Sequence, residues 1–185
     1  MSGFGLSYFG GGGGGAAASL QNRAVIGPHS SESCGAEIGS SSAVPAASFP
    51  FLANGSTIYV PFVIYAPATA YKLCVVNSNT TGNTDMGIMD EDGVRLVSIG
   101  TTARTSGYQE FNIADTALAA GAYYLALAGS SLSGQWASWP MDGKVVAAAS
   151  GVLRETVYPV PATATFAAAD VAVVPMIGVI LRSSP

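Results

Sequence analysis

TDMGIMDEDGVRLVSIG, Thr84 to Gly100, is the stretch whose reading decides the fold. An apolar run, Thr84–Asp90, enters Glu91-Asp92-Gly93, and a β-branched run, Val94–Gly100, leaves it. Aspartate hydrogen-bonds its own backbone and glycine accepts a positive φ, so this segment predicts a tight antiparallel hairpin. The same grammar extends outward in both directions. Upstream lie IYVPFVIY (Ile58–Tyr65), where Pro61 marks an edge or bulge, and YKLCVVN (Tyr71–Asn77) after the turn APATA. Downstream lie YQEFNI (Tyr108–Ile113), AYYLALAG (Ala122–Gly129), KVVAAA (Lys144–Ala149), ATATFAA (Ala162–Ala168) and MIGVILR (Met176–Arg182).

About eight short strands, spaced by roughly ten residues and separated by Gly, Asp, Asn and Ser turns, predict an all-β chain. The expected architecture is an antiparallel β-sandwich of jelly-roll kind. No amphipathic helix is predicted. Residues 58–185 are expected to form the sandwich, 21–57 an irregular connector with first short strands, and 1–20 an extended Gly-rich arm.

The arm reads MSGFGLSYFGGGGGGAAASL. Glycine loses more backbone freedom on ordering than any other residue, so the run Gly10–Gly15 is expected to act as a leash. Fully extended, the arm spans roughly 65 Å. Phe4, Leu6, Tyr8 and Phe9 are costly in water, and they are the expected partner-binding residues, filling pockets on another protein.

Composition limits the function further. Hydrophobic residues make up 49% of the chain and charged residues only 10%. A surface so poor in charge points to burial against other subunits. The net charge of −4 and the scatter of the seven Lys and Arg argue against nucleic acid. The most apolar stretch, Val171–Leu181, is short and interrupted by Pro175 and Gly178, so no membrane insertion is expected. No secretory signal is read, and Cys34 and Cys74 are expected reduced, with Cys74 buried in its strand, although spacing leaves a disulfide open.

Enzyme chemistry finds little support. His29, the single histidine, sits in a Pro/Ser-rich segment, and no G-x-S-x-G elbow presents a serine. No catalytic residue, cofactor or metal is therefore expected. Asp90, Glu91 and Asp92 lack the alternating oxygen ligands and closing glutamate of a calcium loop, and a hairpin turn accounts for them. Trp136 and Trp139, in GQWASWP, are expected in a loop between strands, either folded over one end of the sandwich or exposed for stacking on glycan.

Three segments carry a resemblance. DMGIMDEDGVRLVSIGTTART, FNIADTALAAGAYYLALAG and PATATFAAADVAVVPMIGVILR together resemble a recurrent module of tailed-bacteriophage virion proteins. In that module a strand G-I-Y-D-x-x-G-x-R-L is followed by L-x-x-G-x-Y-Y-L-A-L. Here Met89 replaces the usual aromatic, and Ala119–Ala120 stand where a proline is common; the match covers roughly residues 58–182. The resemblance implies a non-enzymatic structural protein of the virion, assembled in the bacterial host cytoplasm: a spike or fibre subunit, or a head or tail decoration. Its implied partners are other virion proteins and its own copies, as a trimer. The alternative is a host-adhesion module that grips surface carbohydrate through Trp136 and Trp139.

Overall fold

The computed structural model of the chain describes residues 47–50, 55–138, 152–168 and 175–183. Among them there is no helix, and twelve strands form two antiparallel sheets that face each other as a β-sandwich. In chain order the strands are β1 (Ala47–Pro50), β2 (Ser56–Ile64), β3 (Ala68–Asn77), β4 (Asn83–Asp90), β5 (Arg95–Ser98) and β6 (Thr102–Ala103). They continue with β7 (Gly107–Leu118), β8 (Gly121–Gly129), β9 (Gln135–Ser138), β10 (Leu153–Glu155), β11 (Ala167–Ala168) and β12 (Ile177–Ser183).

The first sheet is centred on β3. It pairs β7 along one edge and β12 along the other, and β9 continues the lane of β12 to meet Asn77 through Trp136, with β1 outside it. The second sheet runs β11-β10-β2-β8-β4-β5, with β6 following β5 along β4. Successive strands switch sheets repeatedly. The β2–β3 and β7–β8 connections cross between the sheets side by side, because β2 pairs β8 while β3 pairs β7.

Strand alternation builds the core between the sheets. Ile58, Val60, Phe62 and Ile64 of β2 point inward with Leu125 and Leu127 of β8, against Leu73 and Val75 of β3 and Val179 of β12. Each such side chain contributes roughly 1.5–3 kcal/mol on burial. Continuous burial along Thr84–Met89 reflects the central place of β4, with apolar neighbours on both faces.

The outward face of the second sheet is also covered. β10 and β11 form a hairpin whose long loop, 156–166, folds across that face to the β4–β5 turn and back. Val160, Ala164 and Phe166 of the loop lie over Tyr59, Met89 and Ala126 in a second apolar cluster. The Phe166 ring centroid stands 5.1 Å from that of Tyr59, edge to face, and 4.7 Å from that of Tyr124. Polar groups at the margins pin the loop. Asp85, 1% exposed, accepts from Val160 N (3.0 Å) and Ser98 Oγ (2.8 Å). Arg95 donates to Val160 O (2.6 Å), and Thr57 to Val157 O (2.8 Å). Glu155 accepts from Thr165 N (2.9 Å) and from the Tyr59 hydroxyl.

This loop corrects one expectation. ATATFAA was read as a strand, and only Ala167 and Ala168 are one; residues 162–166 serve instead as the loop's return leg over the sheet. β7 is likewise longer than expected, continuing through Asp115 and Thr116 to Leu118, which enters the core.

Candidate functional site

The two motif segments meet in the second sheet, as the β4–β5 hairpin and β8. Asp90-Glu91-Asp92-Gly93 is the β4–β5 turn: Gly93 N donates to Asp90 O (3.1 Å), Val94 N donates to Asp90 Oδ1 (2.8 Å), and Gly93 has φ +79°. A Cβ on Gly93 would also lie 3.0 Å from the Phe166 ring, so loop 156–166 requires glycine there for a second reason. Gly87 has a different constraint. A Cβ there would come within 2.7 Å of Val97 O, since β5 and Val160 close over it. Among the described residues, no group of three or more His, Cys, Asp or Glu is placed to hold a metal ion.

Trp136 does not sit in a loop. It belongs to β9, where pairing with β1 on one side and Asn77 of β3 on the other directs its ring into the core, 0% exposed. A ring in that position has no face open to a sugar. Trp139 lies outside the described residues, as do Phe4, Leu6, Tyr8 and Phe9 of the arm, and His29, Cys34 and Lys144. Cys74 is a buried thiol outside any disulfide, on the outward face of β3. Beside it Glu110 bridges Lys72 (2.8 Å) and accepts from the Tyr108 hydroxyl. Burial, reinforced by that bond to Glu110, raises the Tyr108 pKa above the usual tyrosine value. Burial and the bond to Glu155 do the same at Tyr59, so both phenols stay neutral donors.

One end of the sandwich gathers loops 78–82, 99–106 and 130–134 around Arg104, which is 4% exposed. Its Nε and Nη2 donate to Asn77 Oδ1 (3.2 and 2.9 Å), Nη1 to Thr81 O (3.4 Å), and Nη2 also to Gln135 O. Burial lowers its pKa from the ordinary arginine value. Asn79 adds a second tie, with Oδ1 accepting from Thr81 N (3.2 Å) and Gln135 N (3.0 Å). No local motif marks this clasp, because its members lie far apart in the chain.

The other end gathers three turns: 65–67 between β2 and β3, 91–93 between β4 and β5, and 119–120 between β7 and β8. Register places them in a row, with Ile64 opposite Gly121 and Tyr123 opposite Asp90. Here Tyr65 is 91% exposed and Val63 50%, beside the exposed Ala119, Ala120 and Ala122. No protein-family model, curated protein or solved structure matches the chain.

Proposed function

We propose that the chain is a non-enzymatic structural subunit of a tailed-bacteriophage virion, of the spike, fibre, or head- or tail-decoration kind. In this reading the sandwich is a jelly roll, the N-terminal arm is the attachment, and copies associate as a trimer. The observation that carries it is how the two motif segments meet. GIMDEDGVRL forms β4, its turn and β5, LAAGAYYLAL forms the following turn and β8, and β4 and β8 pair in register from Thr84–Gly129 to Asp90–Tyr123. Sequence similarity split between two distant segments thus falls on one contiguous hairpin-and-strand unit. The motif glycines both answer to packing, Gly87 against Val97 O of the same unit and Gly93 against Phe166 of the loop that covers it. The side-by-side β2–β3 and β7–β8 crossovers favour the jelly-roll form.

Energetics favours many arms acting together. Each docked aromatic contributes about 1.5–3 kcal/mol, while ordering each arm residue costs about 1–2 kcal/mol. A lone arm therefore binds weakly, and several engaged at once bind firmly. The test is virion incorporation measured by mass spectrometry beside a melting curve of the free protein. Deleting residues 1–9, or combining Phe4→Ala with Phe9→Ala, is expected to leave the sandwich folded and remove it from particles. Normal copy number with the truncated chain would rule out the arm as anchor, and absence of the intact chain from particles would overturn the virion reading itself.

A further inference from the structure

From Tyr59 toward the turns the outward face of β2 and β8 is apolar, but loop 156–166 covers only part of it. Tyr59, Ala126 and Tyr124 lie under the loop, the last in contact with Phe166. The next row toward the turns, Val63 opposite Ala122, is exposed, and Tyr65 beyond it projects almost free. This leaves an apolar ledge at the end of the sandwich. β4 is the second strand from β2, so the β4–β5 turn stands about 10 Å across the sheet from it. Glu91 and Asp92 of that turn are exposed, and among the described residues neither makes a hydrogen bond or ion pair. Arg95 is committed to Val160 O, Arg182 to Asp115 and Lys72 to Glu110. Asp90, Glu91 and Asp92 outnumber Arg95 at this turn, so the ledge is an apolar surface with a net negative border.

We propose that this ledge, Val63, Tyr65 and Ala122 bordered by Glu91 and Asp92, docks a protein segment that carries a Lys or Arg next to bulky apolar side chains. Aromatic anchors at such surfaces supply most of the contact energy, and the charged border supplies orientation and encounter rate. A second copy of the chain in a two-fold contact is a poor occupant, because an isologous pairing would bring two pairs of carboxylates together. The inference rests on exposure and charge at this end alone and stands whether or not the virion reading holds.

The test is a selection of displayed random dodecapeptides on the full-length chain, with counter-selection on a Tyr65→Ser/Glu91→Gln/Asp92→Asn variant. Enriched peptides are expected to place Lys or Arg within a turn or two of Leu, Ile or Phe. A synthetic winner is expected to bind at least about tenfold more weakly to Tyr65→Ser. Glu91→Gln with Asp92→Asn is expected to weaken it by about threefold in low salt, the difference closing near 0.5 M salt as charges are screened. Replacing the peptide's own basic residue by Gln is expected to give the same salt-dependent loss, a readout that needs no protein variant. Failure to enrich, winners without basic residues, or equal affinity for the triple variant would overturn the proposal. So would binding on a glycan array that Tyr65→Ser abolishes, which would assign the ledge to carbohydrate.

Discussion

At one end of the sandwich the segments 78–82, 99–106 and 130–134 hydrogen-bond one another; at the other, among the described residues, the turns 65–67, 91–93 and 119–120 bond within themselves, to the strands they join or to loop 156–166. The first end spends its polar groups internally. Arg104, Asn77 and Asn79 tie β3 to the β8–β9 connection, and Gln109 accepts from Asn77 Nδ2 (3.0 Å) and Thr105 N (3.1 Å) while donating to Ala103 O (3.1 Å). Among the described residues, the second end leaves two carboxylates and a tyrosine unspent. A buried polar group without its partner costs free energy, whereas an exposed one costs nothing until a ligand arrives. The first end therefore holds the fold, and the second is available to a partner.

The comparison breaks most readily at Arg104. Arg104→Met keeps much of the side-chain volume but removes the donors to Asn77 Oδ1, Thr81 O and Gln135 O. Leaving the buried Asn77 Oδ1 and the half-buried Gln135 O without this donor is expected to cost about 3 kcal/mol. Urea unfolding should show a lower midpoint at unchanged slope. A loss under about 1 kcal/mol would mean that the loops hold without the clasp.

Gly134 sharpens the same point. A Cβ there would lie 2.3 Å from Arg104 Nη1, 3.0 Å from Thr81 O and 3.1 Å from Ser131 O. The guanidinium is the adjustable neighbour, but its own hydrogen bonds resist displacement. Gly134→Ala is expected to cost about 2 kcal/mol. Added to Arg104→Met it should cost distinctly less, because the two changes share one contact. Strict additivity in the double variant would disconnect Gly134 from the clasp.

How much of this was legible depended on whether the signal was local. Thr84–Gly100 reads as a hairpin because turn chemistry and apolar runs are adjacent, and β4 and β5 lie where that reading placed them. Met176–Arg182 reads as a strand for the same reason, within one residue of β12. Gln135–Ser138 does not, because four residues of mixed character become a strand only between β1 and β3, and that is what buries Trp136. Ala162–Phe166 has strand-like composition, yet the apolar surface of Tyr59 and Tyr124 claims Phe166 for a covering loop. The turn Asp90–Gly93 was legible as a turn. Its proximity to Tyr65 was not, since that follows from β2, β8 and β4 lying side by side.

The smallest expected effect is at Tyr65. A tyrosine at 91% exposure has little buried area to lose on substitution, and among the described residues its hydroxyl and ring make no bond. Tyr65→Ser should therefore change stability by less than about 0.5 kcal/mol in the same urea assay that registers Arg104→Met. Glu91→Gln with Asp92→Asn should be equally mild, because the turn is set by Asp90 Oδ1 and by the positive φ of Gly93, not by these two carboxylates. The pair of variants is thus a control on the comparison as well as a test of the ledge. If Tyr65→Ser cost more than about 1 kcal/mol, the side chain would have structural partners, and the end it crowns would be a second cap. If stability holds while peptide binding falls, conformation and recognition are divided between the two ends of one sandwich.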